Sequence, residues 1–386
     1  MKASFEDVDV AGKRVLVRED FNVPLKDGRI ADDTRIRAAQ PTLESLRRRH
    51  ARVVVMSHLG RPEGKPDKKL SLKPVAERLR CAFAEDCIGE AAQNAVGRLR
   101  DGDIVLLENL RFHPEEEAND ADFARRLAGL GQLYVDDAFA ATHRAHASVV
   151  GVAKYLPAYA GHLMLAELEA LHKALDSPRR PLVAVVGGAK ISTKAGVLRH
   201  LLPKVDALLV GGAMANTFFK ARGLEVGASL VEDSALDEAR AVEKLAASKL
   251  LLPVDAVCAR KPEAGQETRV MAVDAVEPGW MVLDIGPDSI KIFTEQLAGA
   301  GTVVWNGPVG MSEIPEFSVG TLRVGEAIAA SGAYSLVGGG DTAAAVDALG
   351  LAGRFSHVST GGGATLEYME GKELPGVAVL REAQAS

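Results

Sequence analysis

The sequence predicts an α/β protein made of two doubly wound parallel-sheet (Rossmann-like) domains joined by a linker helix. Three observations carry this expectation. Short apolar runs rich in Val, Leu and Ala recur along the chain, at 15–17, 53–56, 104–107, 133–135, 182–186, 207–210, 281–285 and 302–305. Helix-length stretches separate them, and that alternation builds parallel sheets. Most runs stop abruptly in Arg, His, Asp or Gly, and in a doubly wound sheet the strand exits share the edge where ligands bind. The length of 386 residues exceeds what one ordinary hydrophobic core serves.

In the first half, the run at 15–17 leads into Arg18-Glu19-Asp20-Phe21-Asn22-Val23-Pro24, where proline closes the strand. Asp33-Thr34 offers an acidic or hydroxyl cap to a helix that carries Arg35. The next runs end in Ser57-His58-Leu59-Gly60-Arg61, in Glu108-Asn109-Leu110-Arg111, and in Asp136-Asp137 followed by Thr142-His143-Arg144-Ala145-His146. On a shared edge Arg18, Arg61, Arg111 and Arg144, with Arg35 from the following segment, form a basic basket. A lone strand-end arginine is ordinarily a salt-bridge partner. Several crowded together repel unless an anion lies among them, and the planar guanidinium grips carboxylate and phosphate. No carboxylate pair and no Ser-His-Asp order accompanies the basket. It reads as a holder for a small, multiply negative molecule.

Residues 158–176 carry leucines at helical spacing and stop at Ser177-Pro178, so they read as the long linker helix. The second domain opens with a strand and Gly187-Gly188-Ala189-Lys190-Ile191-Ser192-Thr193-Lys194. Lysines four apart on a helix would share one face. Glycines also close the strands at Gly211-Gly212, Gly286 and Gly307. Near the end one design is written twice: an apolar strand, then Gly338-Gly339-Gly340-Asp341-Thr342, and an apolar strand, then Gly361-Gly362-Gly363. Bare glycines between a strand and a helix start present backbone N–H groups at the positive end of the helix dipole, which suits phosphates. Gly338-x-Gly340-x-x-Ala343 also fits a dinucleotide fingerprint, but no acidic strand end follows about twenty residues on.

Net charge is −6, yet residues 1–176 hold 18 of the 28 arginines and 7 of the 9 histidines. No Lys/Arg run with interleaved aromatics points to nucleic acid. No apolar run approaches the roughly 20 residues that span a bilayer, and the N-terminus lacks the apolar core of a signal peptide. Cys81, Cys87 and Cys258 form neither an even disulfide set nor a metal-ligand spacing. A cytoplasmic, monomeric protein is the simplest expectation.

The motifs VREDFNVP, SHLGRP, ENLRFH, HRAHAS, GGAKISTK, WNGPVG, GGGDTAA, STGGGATLE and GKELPG resemble, in order and over essentially the whole chain, those of the phosphoglycerate kinase family. The resemblance implies an N-terminal domain (1–170) that binds 3-phosphoglycerate, a C-terminal domain (171–370) that binds the nucleotide, and a tail (371–386) packing back on the first. It implies substrate contacts from Asp20, Phe21, Asn22, Arg35, His58, Leu59, Gly60, Arg61, Arg111 and Arg144. Nucleotide contacts would come from Lys190, Lys194, Gly286, Glu313, Gly338, Gly339, Gly340, Asp341 and Thr342, with Asp341 on Mg²⁺ accompanying ATP or ADP. Arg35, Lys190, Gly361 and Gly362 would serve the transferring phosphoryl group. Ala140, Ala141-Thr142 and Ser312 depart from the family pattern. The expected reaction is reversible phosphoryl transfer between ATP and 3-phosphoglycerate, giving 1,3-bisphosphoglycerate, by hinge closure and without a general base. A catalytically silent nucleotide- or anion-binding protein is the alternative, and a nicotinamide dehydrogenase a weaker one.

Overall fold

The computed structural model describes residues 2–383. The chain forms two compact units. One takes the chain through Leu168 and again from Glu373 onward; the other is Glu169–Lys372. Among the described residues no helix is long and apolar enough to cross a membrane.

The first unit contains β1 (Arg14–Arg18), a small hairpin of β2 (Leu25–Lys26) and β3 (Arg29–Ile30), then β4 (Arg52–Met56), β5 (Ala82–Ala84), β6 (Ile104–Leu107), β7 (Leu133–Asp136) and β8 (Ala158–Ala160). Apart from the hairpin these make one all-parallel sheet in the order β5-β6-β4-β1-β7-β8. Its strands are near-continuous apolar runs because helices cover both faces. Val15, Val17, Val53 and Val55 are wholly buried in its core, each contributing roughly 1.5–3 kcal/mol. The register levels the exits: Arg18 pairs with Met56 on one side and with Asp136 on the other.

Helix Thr34–Arg48 starts where expected, but the Asp33 side chain caps no backbone N–H of its first turn. Its carboxylate accepts instead from the side chains of Arg37 and Arg78, and Asp32 Oδ1 accepts from Thr34 N at 2.9 Å. The linker helix is shorter than its leucine spacing suggests. Residues 158–160 are an edge strand, fully buried beside β7, and the helix runs His162–Leu171 before widening to a π-turn over His172–Asp176. Pairing with β7 draws the first three residues into the sheet. After Glu373 the chain returns along this unit: Gly376 N donates to Thr142 O at 2.8 Å, Ala3 N to Arg381 O at 2.8 Å and Arg381 N to Ala158 O at 3.0 Å.

The second unit contains β9 (Leu182–Val186), β10 (Ala207–Val210), β11 (Leu250–Leu251), β12 (Asp255–Ala259), β13 (Arg269–Ala272), β14 (Met281–Ile285), β15 (Thr302–Asn306), β16 (Tyr334–Gly338) and β17 (His357–Val358). Its main sheet is again all parallel, in the order β11-β10-β9-β15-β16-β17. The run at 281–285, expected in that sheet, lies elsewhere. It is β14 of a separate antiparallel sheet, β13-β12-β14. Asp284 within it is buried and accepts from Gly320 N at 2.7 Å and Ile285 N at 2.9 Å, fixing the small sheet to the start of helix Val319–Ala330.

Candidate functional site

The exits of β1, β4, β6 and β7 do gather basic groups on one edge of the first sheet, though not as a uniform basket. Arg18 is wholly buried and Arg111 nearly so. Arg61 is exposed. His58, 8% exposed, sits in the field of Arg18, Arg111, Arg144 and Arg35. Burial first, and then these four cations, hold its pKa well below the usual imidazole range. His146, close by, is pushed down to about 4 by burial and by Arg111, Arg18 and Arg144. Burial also lowers Arg111, to about 10. The histidines thus stand neutral among guanidiniums at physiological pH.

Local bonds shape this edge. Arg35 pairs with Asp20, and Asp20 Oδ1 accepts from Asn22 N at 3.1 Å. Asn22 Oδ1 accepts from Gly60 N at 2.9 Å, while Gly60 O accepts from Arg111 at 2.8 Å. Asn109 holds the same loop from below, accepting from Leu59 N at 3.2 Å and donating to Leu59 O at 2.7 Å and Leu70 O at 2.9 Å. Phe21 and Leu59 turn into the core, so at these positions only the backbone is available to a ligand. Arg144 Nε lies 3.2 Å from His143 Nε2.

In the second unit β15, β16 and β17 are neighbours, so both triple-glycine turns open at one edge, each into a helix, Gly340–Ala348 and Gly363–Met369. The glycines divide by role. A Cβ on Gly338 would lie 2.7 Å from Met369 Cε and 2.8 Å from Thr365 Cγ2; on Gly339, at φ +92, it would lie 3.0 Å from Asn306 Nδ2. A Cβ on Gly340 or Gly362 would meet nothing within 4 Å. Packing requires the first pair and leaves the second uncrowded, although Gly362, at φ +48, is still held to glycine by its backbone. The Gly361 N–H is engaged by Ser359 Oγ at 3.1 Å. Thr342 is buried and its Oγ1 accepts from Gly307 N at 2.6 Å. Gly286 is required by packing too, since its Cβ would stand 2.3 Å from the Asp255 carboxyl carbon.

Lys190 and Lys194 are not on a helix. The loop after Gly187-Gly188 continues to Lys194, and the helix begins at Ala195. Lys190 is exposed and acts on Glu232, which is fixed by Ser192. Lys194 is half-buried and donates to Asn306 Oδ1; Asn306 Nδ2 donates to Gly338 O at 3.0 Å. Burial lowers the Lys194 pKa, against the pull of Asp341 and Glu370. Asp341 lies exposed in the first turn of Gly340–Ala348, an oxygen donor beside open amides. Such a carboxylate suits Mg²⁺, which prefers one or two carboxylates together with phosphate oxygens. Glu313 is exposed on the segment after β15.

Sequence reasoning placed Arg18 among ligand-facing arginines and did not single out its buried partners Glu116 and Ser148. It also passed over Asp86, Cys87 and His113, whose donor atoms lie within 4.8 Å of one another. His113 bonds Asp86 at 2.8 Å, and burial pushes the Cys87 thiol well up, keeping it protonated.

The family model described as phosphoglycerate kinase matches residues 5–372. The chain belongs to the phosphoglycerate kinase family. It is 54% identical over 388 residues to the phosphoglycerate kinase of Pelotomaculum thermopropionicum, covering 98% of this chain and 99% of that one. It is 53% identical to the phosphoglycerate kinase of Moorella thermoacetica, with 99% of each chain covered. Among solved structures, phosphoglycerate kinase from Coxiella burnetii superposes with a TM-score of 0.91 at 44% identity, and that from Pyrococcus horikoshii with 0.85 at 31%, each covering 98% of both chains.

Proposed function

We propose that the chain transfers a phosphoryl group reversibly between ATP and the carboxylate of 3-phosphoglycerate, giving ADP and 1,3-bisphosphoglycerate, a step of glycolysis and gluconeogenesis. The observation that carries this reading is the presence of two unlike anion sites in one chain of this family. Arginines surround a neutral His58 in one unit, and open glycine amides stand beside Lys194 and Asp341 in the other.

The first domain (1–170) takes 3-phosphoglycerate through Arg35, Arg61, Arg111 and Arg144, with His58, Asp20, Asn22 and the backbone of Phe21, Leu59 and Gly60. The second (171–370), with the tail 371–386 returning to the first, takes the nucleotide through Lys190, Lys194, Glu313 and the Gly338–Thr342 turn. Asp341 would hold Mg²⁺, which neutralises phosphate charge when bound. The attacking carboxylate, with an ordinary pKa of about 4, is already ionised at pH 7. No general base is needed, and the depressed proton affinity of His58 and His146 makes them poor ones. Catalysis then rests on in-line positioning and on neutralising the equatorial oxygens, the work of Arg35, Lys190 and the Gly362 amide. Transfer requires both bound substrates to meet, which we assign to closure about the linker helix by a monomer. Small-angle scattering tests this: compaction with both ligands is expected, and full compaction with one alone would refute it.

The deciding experiment is a coupled assay of ATP-dependent acyl phosphate formation from 3-phosphoglycerate. The native chain turns over, and Arg35→Ala or Lys190→Ala lowers kcat by about 10²- to 10³-fold, the scale of a lost transition-state donor. Nucleotide binding without transfer by the native chain would overturn the reading.

A further inference from the structure

Arg18, the last residue of β1, is among the largest fully buried side chains in the protein. Each of its three nitrogens has a different acceptor. One terminal nitrogen donates to the Glu19 carbonyl. Nε donates to Ser148 Oγ at 3.0 Å, and the other terminal nitrogen lies 3.0 Å from His58 Nδ1. Ser148 Oγ in turn donates to Glu116 Oε1 at 2.5 Å, while Glu116 Oε2 accepts from Ser148 N at 2.9 Å. Glu116 and Ser148 are themselves wholly buried. A single chain of bonds therefore runs from a buried carboxylate to the imidazole at the centre of the arginine edge.

The chemistry of the last bond is one-directional. A guanidinium has five N–H donors and no acceptor. His58 Nδ1 must then be the acceptor, with its lone pair toward Arg18, and the ring's remaining proton belongs on Nε2. An imidazolium would set N–H against N–H. Nε2 lies across the ring from Arg18, and it is not among the polar atoms sealed away from solvent without a partner. We propose that Glu116, Ser148 and Arg18 are positioning residues that hold His58 as the neutral Nε2–H tautomer, so that this N–H is a fixed, uncharged donor for the anionic substrate. The last clause rests on the function proposed above; the tautomer does not.

The arrangement has a physical rationale. Arg35, Arg111 and Arg144 already repel one another at this edge, and a charged imidazole would add to that repulsion. A neutral donor supplies direction instead, at no cost in like charge. Glu116 keeps the Arg18 cation compensated within the interior, where an unpaired charge would be expensive. Ser148 between them relays the constraint: its proton is held on Glu116, which leaves a lone pair facing Arg18 Nε.

The test uses the full chain labelled with ¹⁵N-histidine. Long-range ¹H–¹⁵N correlation spectra show which ring nitrogen carries the proton, and the His58 signals are those missing in His58→Gln. The expected result at pH 7 is a neutral ring protonated on Nε2, unchanged at pH 6. Ser148→Ala, which removes one small buried hydroxyl, should give mixed tautomers. It should also raise KM for 3-phosphoglycerate about five- to tenfold, because mixed tautomers forfeit part of one charge-assisted hydrogen bond, with kcat changed less than about threefold. Glu116→Gln, if folded, should do the same. A native His58 that is Nδ1-protonated or charged at pH 7 would overturn the proposal. So would a Ser148→Ala protein whose tautomer is unchanged. If the tautomer is as stated but no variant or native protein turns over, the assigned reaction fails and the positioning chain stands.

Discussion

The half-buried Lys194 is aimed by Asn306, and breaking that link should have a measurable energy. Asn306 ends β15 fully buried, level with Gly338 at the end of β16. Its amide oxygen accepts from Lys194, and its amide nitrogen donates to Gly338 O at 3.0 Å. Asn306→Ala removes both bonds. A neutral bond contributes about 0.5–1.5 kcal/mol net and one to a charged group about 1.5–3 kcal/mol. Lys194 can partly rehydrate, so the expected loss of stability is about 2–3 kcal/mol. Lys194→Met removes only the charged bond and also relieves the desolvation of the ammonium, for a net loss of about 1 kcal/mol. The double variant should lose about as much as Asn306→Ala alone, leaving a coupling of about 1 kcal/mol between the two positions. Urea unfolding of the four proteins measures it. The same set assayed for kcat/KM with ATP should show Asn306→Ala reduced about tenfold, because the lysine is present but no longer held. Additivity of the two substitutions to within about 0.3 kcal/mol would refute the link. It would also remove the reason for including this lysine in the proposed nucleotide site.

Further outcomes follow from the same geometry. Gly340→Ala should leave stability within about 0.5 kcal/mol of native, because the new methyl meets no atom and alanine suits a helix. It should nevertheless raise KM for ATP by at least about tenfold through crowding the open amides, whereas Gly339→Ala, at φ +92, should cost about 1–3 kcal/mol of stability in thermal melts. Glu19 is wholly buried, with both carboxyl oxygens unpartnered. Burial, then Asp137 and Asp136, raise its pKa well above the ordinary value of 4.5. Its native state keeps a proton that the unfolded chain releases, so its contribution is fully present below about pH 4.5 and is lost as pH rises through the folded pKa. Glu19→Leu should therefore stabilise the protein at pH 8 by about 1–3 kcal/mol and by less at pH 5 in paired urea titrations; an advantage that grew toward acid would contradict this sign. Asp284→Asn should cost about 1–3 kcal/mol by denaturation, because each carboxylate oxygen accepts a backbone N–H and an amide NH₂ cannot replace one of them.

The parts of the architecture legible in the sequence are those written in contiguous residues. β1, β4, β6, β7, β9, β10 and β15 are short apolar runs with polar or glycine exits, and β16 differs only by a serine; this is how buried parallel strands are usually spelled. Ala158–Ala160 escaped because three residues before a helix are too few to show a period of two, and only pairing with β7 identifies them as a strand. β14 escaped for the opposite reason. Its run reads like a buried parallel strand, and its antiparallel place is settled by β12, itself paired with β13, neither of which carries a comparable signal. The lysine pair was read on a helix because its spacing is four; Gly187 and Gly188 begin a loop that postpones the helix to Ala195.

The site itself divides along the same line. Which residue types stand at the strand exits is local information, and the arginines, histidines and glycines could be named from it. What each does there is decided by atoms far along the chain. Arg18 and Arg111 both sit at or just past a strand's end, yet Arg18 is turned inward by Ser148, 130 positions away, while Arg111 closes on Gly60 at the loop above. Gly338 and Gly340 share one motif, yet Met369 and Thr365 crowd the first and nothing crowds the second. A packing glycine and a ligand-facing glycine are spelled alike, and so are a positioning arginine and a binding one. A substitution that costs stability identifies the first kind; one that costs only substrate affinity identifies the second. The contrast between Gly339→Ala and Gly340→Ala therefore separates the two meanings of glycine within a single turn.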